Sequence, residues 1–194
     1  MKMNNEPLKS VLDAIERASS VTSFDCYDAV LSTVSGTARP AGRIVKTRIV
    51  DDRGFLFFSN RESRASRHIM EIPHAALCFF WPWINEQMRV QGRIEIASDD
   101  ISDEAFAALP RGRQLTAWAS LQSHPLSSRE ELMQRYHETD QRYLNRNVPR
   151  PPHWGGYRLV PDRIELWKQG EDDLHERTLW RRIPTGWNSE LLFP

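Results

Sequence analysis

Between Met88 and Ile96, apolar and polar residues alternate: Met88, Val90, Ile94 and Ile96 are interleaved with Arg89, Gln91, Arg93 and Glu95. A period of two sends successive side chains to opposite faces of a strand, so this segment reads as a strand with one buried and one wet face. Such a strand needs neighbours, and residues 28–34, 43–50, 55–59 and 75–81 are β-rich runs that supply them. Gly36 and Pro40 punctuate the first gap, and Asp51-Asp52-Arg53-Gly54 forms a turn in the second. After a proline-flanked turn (Pro149, Pro151, Pro152), further strands are expected at 156–159, 163–167, 177–182 and 187–192.

Helical spacing appears before this array and within it. Leu8, Val11, Leu12 and Ile15 follow Pro7 and predict a helix over 7–18. Ser59-Asn60 offers an N-cap for a helix over 62–70, and helices are expected at 103–109, 113–121 and 129–144. Ser127 and Ser128 stand at capping-box distance from Glu130 and Glu131 ahead of the last one. Six or more antiparallel strands, with helices inserted between the fifth and sixth, imply an α+β chain built on a closed or split barrel, because so long a meander must bury its edges. The expected organisation is a lead-in helix over 1–27 and a single domain over 28–194.

At 40% hydrophobic, 194 residues bury a core without staples. A formal net charge of zero argues against nucleic acid or an anionic membrane surface as partner. Cys26 and Cys78 form no C-x-x-C pair and no zinc-spaced cluster, so neither a disulfide framework nor a metal site is expected. No stretch reaches the ~18 apolar residues that cross a bilayer, and the expected compartment is the cytoplasm. The chain lacks G-x-G-x-x-G, a Walker A loop, G-x-S-x-G and H-E-x-x-H, which removes the usual signatures of nicotinamide binding, P-loop chemistry, serine hydrolysis and zinc proteolysis. What remains are polar residues on strands and turns: Arg43, Lys46 and Arg48; Ser59, Arg61 and Arg64 at a helix start; Gln87; and Gln122-Ser123. A helix N-terminus beside serine and arginine is a ready phosphate site, and the same residues also read as a solvated capping turn.

The run Arg43-Ile44-Val45, the segment Phe57-Phe58-Ser59-Asn60, Ser63-Arg64, Gln87 with Val90 and Gly92, Gln122-Ser123, Trp154-Gly155-Gly156-Tyr157-Arg158, Ile164-Glu165-Leu166-Trp167 and Leu174-His175-Glu176-Arg177 occur in an order and spacing that resembles the pyridoxamine 5′-phosphate oxidase family, with its phenazine-biosynthesis relatives. The resemblance runs from about residue 28 to Pro194. It implies a mostly antiparallel split β-barrel with flanking and inserted helices that binds FMN at the interface of a homodimer. It further implies that Arg64 and Ser59 hold the FMN phosphate, beside Phe58, and that Arg43 with the backbone of Ile44 and Val45 lies along the ring and ribityl chain. Arg48 belongs to the same strand, Gln87 would face the flavin edge, and Gln122, Ser123, Trp167 and Arg177 would come from the second subunit.

The substrate site departs from the family pattern. The family grips the substrate phosphate with a lysine, a tyrosine, an arginine and a serine, where this chain has Arg48, Ala105, Leu109 and Arg113. Arg48, Arg111 and Arg113 could rebuild an anion site. The arginine that precedes Leu-His in the family is Asp173 here, within Glu171-Asp172-Asp173, and His175 keeps the family's substrate position. Asp173 and His175 are therefore the catalytic candidates, and Arg48, Arg113, Asp173 and His175 the substrate contacts. The implied function is an FMN-dependent oxidase that moves hydride from an amine, alcohol or dihydro-aromatic carbon to flavin and returns electrons to O2. The alternatives are a pyridoxamine-phosphate oxidase with a rebuilt pocket, a phenazine-type oxidase, and a flavin- or haem-binding barrel without turnover.

Overall fold

The computed structural model describes residues 6–194. Among these residues there are five helices: α1 (Glu6–Ser20), α2 (Arg64–Glu71), α3 (Asp99–Ala107), α4 (Arg111–Ala119) and α5 (Arg129–Arg142). There are eight strands: β1 (Asp28–Val34), β2 (Pro40–Asp51), β3 (Gly54–Asn60), β4 (His74–Trp81), β5 (Glu86–Ile96), β6 (Trp154–Lys168), β7 (Glu176–Ile183) and β8 (Gly186–Leu192). The two segments expected at 156–159 and 163–167 are one continuous strand, β6. Its Pro161 lies between them without ending it.

The strand order is β3-β2-β1-β4-β5-β6-β7-β8, and an additional β3–β6 pairing closes the first six into an antiparallel barrel. β7 and β8 extend the sheet beyond it. Closure removes the edges that a long meander leaves open. At the β2–β3 turn Gly54 has φ +123, and a Cβ there would collide with the Leu159 carbonyl, so only glycine fits.

Two compact units divide the chain: residues 6–57, 68–95 and 158–194 form one, and residues 58–67 and 96–157 the other. The barrel unit is filled by Leu31, Leu56, Leu77, Phe79, Trp81, Met88 and Leu179. Met88, Val90 and Ile94 face inward as the alternation requires, but Ile96 is exposed, because β5 is ending there ahead of α3. α1 belongs to the same unit, tied by a bidentate Arg17 pair to the buried Glu86 carboxylate and by the Trp83 indole N–H to the Ala18 carbonyl.

In the helical unit, Phe106, Leu115, Tyr143 and Val148 form the core, with Leu109, Trp118 and Trp154 packed against it. Ser128 caps α5 by accepting from the Glu131 N–H, and the Glu131 carboxylate accepts from the Ser127 N–H, as the capping-box spacing implies. The cap of α2 differs from the sequence expectation. The helix starts at Arg64, and Ser63 Oγ accepts from the Ser66 N–H, while Asn60 Oδ1 accepts from Glu62 N–H in a turn upstream. Asn60 and Ser59 end β3 instead, since the strand runs two residues further than its apolar run suggests.

Candidate active site

In the barrel unit, β2 carries four of the named residues. Alternation sends Arg43 toward the interior face that Leu31 and Thr33 share, and Ile44, 70% exposed, toward the opposite face. Arg43 Nη1 donates to the Leu31 and Ala41 carbonyls (3.0 and 2.8 Å) and to Thr33 Oγ1 (2.7 Å). Arg43 and Ile44 therefore cannot offer side chains to one ligand face. Only the backbone of Ile44 and Val45 is compatible with the role the resemblance implies for them. The register against β3 shifts between Thr47 and Ile49, so Arg48 is the extra residue of a β-bulge and projects into solvent.

The remaining barrel-unit candidates line up across three strands. Gln169 N–H donates to the Asn85 carbonyl, and Arg89 forms an ion pair with Glu165; counting inward from either contact puts Gln87 level with Trp167. Gln87 also lies opposite Phe80, and Trp167 opposite Arg177. One cross-strand row thus runs Phe80, Gln87, Trp167, Arg177. Arg177 is held from below: its Nε and Nη2 pair with Glu165 at 2.9 Å, and its Nη1 donates to the Phe193 carbonyl. Glu165 is 3% exposed and also receives Arg89, with Arg163 at 3.9 Å. Such a carboxylate fixes guanidinium planes by charge-assisted bonds.

The turn from Gly170 to His175 packs the third group. A Cβ at Gly170 would meet the Leu174 carbonyl, and Asp172 and Asp173 adopt left-handed backbone (φ 49 and 62). His175 lies against Trp167 with ring centroids 4.6 Å apart. Its Nδ1 accepts from the Gly170 N–H at 3.3 Å, which leaves Nε2 as the protonated nitrogen of the neutral ring, 3.6 Å from Asp173 Oδ1. The Asp173 side chain is 99% exposed. Trp167, Asp173 and His175 are brought together, as expected of neighbouring contacts.

In the helical unit, Arg64 is the first residue of α2 and is exposed. Among the described residues neither its guanidinium nor the N–H groups of Arg64 and Ala65 have a partner, and the Ser59 hydroxyl has none. Two free N–H groups at a helix start, a guanidinium and a hydroxyl are the donor set a dianionic phosphate requires, so these residues fit the phosphate of FMN. Phe58 stacks on Trp154 at 4.9 Å and 5°, which makes it a wall of this unit rather than a free ring. Gln122 and Ser123 lie in an exposed loop, Ser123 with φ 69. Arg113 is exposed, whereas Arg111 is committed to the Arg146 and Tyr143 carbonyls and Asp140, and is not available for a rebuilt anion site. Leu109 is turned into the helical core.

Sequence reasoning missed the supports of these groups: Thr33, His68, Arg89 and Glu165. Thr33 alone left a signal, as a hydroxyl at the third inward position of β1 after Ala29 and Leu31.

An antiparallel six-stranded barrel with a helical insertion places the chain in the class of α+β split-barrel proteins. Residues 24–143 match the family described as pyridoxamine 5′-phosphate oxidase, and residues 154–194 match the pyridoxine 5′-phosphate oxidase C-terminal dimerisation region. The chain belongs to the pyridoxamine 5′-phosphate oxidase family. It is 45% identical over 189 residues to a pyridoxine/pyridoxamine 5′-phosphate oxidase of Myxococcus xanthus, covering 97% of this chain and 92% of that one. Among solved structures it resembles PhzG from Burkholderia lata, crystallised with tetrahydrophenazine-1-carboxylic acid, with a TM-score of 0.92 and 26% identity over 97% of this chain and 92% of that one. A pyridoxamine 5′-phosphate oxidase-related, FMN-binding protein of Nostoc punctiforme shares the fold, with a TM-score of 0.75, 19% identity and 96% of each chain covered. No helix among the described residues is long and apolar enough to cross a membrane.

Proposed function

We propose that the chain is a cytoplasmic, homodimeric FMN-dependent oxidase whose substrate site has turned away from B6 phosphates toward a donor lacking that phosphate. The carrying observation is Asp173: a carboxylate, fully exposed and beside His175, stands where the resemblance expects a guanidinium. Charge reversal at one contact both removes an attraction and adds a repulsion, and each lost charge-assisted bond costs ~1.5–3 kcal/mol. Leu109 supports the reading, since it serves the helical core and offers no donor.

In this reading Arg64, Ser59 and the free N–H groups of α2 take the FMN phosphate. Arg43 and the backbone of Ile44 and Val45, with Gln87, take the ring and ribityl chain; Gln122, Ser123, Trp167 and Arg177 are given by the second subunit. When bound, FMN would supply the redox chemistry of such an oxidase, with hydride taken from the substrate carbon and dioxygen as the final acceptor. The chain's own part is placement. His175 presents Nε2–H to the substrate, Asp173 balances any positive charge that forms there, and Arg48 and Arg113 offer guanidinium groups to a carboxylate. The carboxylated ring bound by PhzG is a ligand of that chemical kind.

The test is anaerobic bleaching of the bound flavin with a panel of amines, B6 phosphates and dihydrophenazines. An amine or dihydro ring is expected to bleach it, and pyridoxine and pyridoxamine 5′-phosphates to be poor. A kcat/KM at or above the ~10⁴ M⁻¹s⁻¹ floor of ordinary enzymes with either B6 phosphate overturns the diverged site. That outcome would favour the second reading, a pyridoxamine-phosphate oxidase with a rebuilt pocket, which the 45% identity to a relative of that name supports. A protein that purifies without flavin and takes none up overturns both.

A further inference from the structure

We infer that Thr33 and His68 are positioning residues that hold Arg43 in its working orientation. The inference rests on the reading that Arg43 meets the flavin. Thr33 is 3% exposed and His68 is 6% exposed, both within the barrel unit. A buried hydroxyl or imidazole is retained at such places only when it is hydrogen-bonded.

The bonds have a direction. A guanidinium only donates, so Thr33 Oγ1 accepts from Arg43 Nη1 at 2.7 Å. The hydroxyl proton is then free to be donated to His68 Nδ1, 3.2 Å away, in the neutral tautomer that carries its ring proton on Nε2. The other two acceptors on Nη1 are the Leu31 and Ala41 carbonyls, fixed by the β1–β2 ladder. Thr33 is the one side chain among these three, and His68 sets the direction of its hydroxyl. The guanidinium is a planar fork, and pinning one nitrogen in this way sets the plane of the rest. His68 lies on α2, one turn after Arg64, so the helix that opens on the phosphate candidate also carries the group that orients the ring-side arginine.

The experiment uses the FMN-loaded dimer and compares Arg43→Ala, Thr33→Val, Thr33→Ser, His68→Leu and His68→Asn. The readouts are the visible absorption and circular dichroism of bound flavin and the FMN dissociation constant. Arg43→Ala is expected to change the flavin spectrum. Thr33→Val and His68→Leu should shift it in the same direction and weaken FMN about tenfold, the loss of one modest bond's worth of placement. Thr33→Ser keeps the hydroxyl, and His68→Asn keeps an acceptor near Nδ1, so both should restore the parent spectrum. In an Arg43→Ala background Thr33→Val should add nothing. If Arg43→Ala leaves the flavin untouched, the reading of Arg43 fails and takes this inference with it. If Arg43→Ala changes the flavin but Thr33→Val and His68→Leu match the parent, or if Thr33→Val acts equally without Arg43, the positioning role is overturned while the reading of Arg43 stands. Should Thr33→Val fail to fold, the pair His68→Leu and His68→Asn decides the question alone.

Discussion

The barrel unit and the helical unit treat their arginines differently. In the barrel unit Arg43 and Arg177 are also structural: Arg177 is bonded to Glu165 and Phe193, and Arg43 to three acceptors on its own sheet. In the helical unit the two tasks fall to different residues. Arg111 bonds to Asp140, Tyr143 and Arg146, Arg150 to Asp99, Asp103 and Trp154, and Arg135 to Ala119, while Arg64 and Arg113 stay free of the described residues. A group held on one side before a ligand arrives loses less entropy on binding. Arg43 and Arg177 are therefore pre-organised and costly to change, and Arg64 and Arg113 are separable from stability.

The sharpest way to break that comparison is Glu165→Ala. The substitution removes the buried carboxylate that Arg89 and Arg177, themselves 42% and 24% exposed, share, an effect of ~1.5–3 kcal/mol, and should lower Tm by ~3–12 °C while also abolishing FMN retention. A Tm within a degree of the parent would show that the network is not what orders Arg177. Next in size is Arg64→Ala. FMN affinity should fall by ~1.5–3 kcal/mol, with riboflavin affinity and Tm unchanged, because the exposed Arg64 guanidinium has no hydrogen-bond or ion-pair partner among the described residues. A loss of Tm with Arg64→Ala would erase the difference between the units.

Leu109→Arg tests the same boundary from the other side. It restores the guanidinium that the family uses, but it takes an apolar side chain from the cluster with Phe106 and Leu115 and should cost ~1–3 kcal/mol, read as a lower Tm. Asp173→Arg, at a fully exposed side chain, should leave Tm in place and raise turnover of B6 phosphates. The two changes separate a substrate contact from a packing residue.

The strands were legible because they are periodic: β1 spans the expected 28–34, and the inward residues of β5 were visible from alternation up to Ile94. Closure of the barrel was not, since the β3–β6 pairing joins segments about a hundred residues apart and leaves no local trace. The bulge at Arg48 was hidden for a related reason, because an extra residue in one strand is defined only against its partner. The α2 cap was misread among several candidate serines and asparagines, where geometry alone selects Ser63. At the site, the residue types were legible and their supports were not. Thr33 and His68 are 35 positions apart, and Arg89 and Glu165 are 76 apart, so each pair exists only after folding.

The smallest expected effect lies inside the barrel unit and asks whether burial, rather than location, makes its ion pairs costly. Lys46 Nζ is 2.7 Å from Asp25 Oδ2 and 3.4 Å from Asp28 Oδ1, with all three side chains substantially exposed. The hydrogen bond from Lys46 holds the Asp25 carboxyl below its ordinary range, against a partial burial that pushes it up, and the same bond raises Lys46. A depressed carboxylate contributes stability above its unfolded pKa of ~3.9 and loses it as pH falls through the lower folded value; a raised lysine contributes below ~10.4 and loses it as pH rises through the folded value. The pair therefore acts in full between about pH 4 and pH 10. Exposed pairs contribute no more than ~1 kcal/mol, so Lys46→Met should lower Tm by ~1–4 °C at pH 7, less in high salt, and by progressively less as pH falls through the lowered folded value of Asp25. A Tm difference that does not shrink at all on acidification would mean that the lysine stem packs rather than pairs, and a loss as large as that of Glu165→Ala would mean that position in the barrel, not burial, sets the cost.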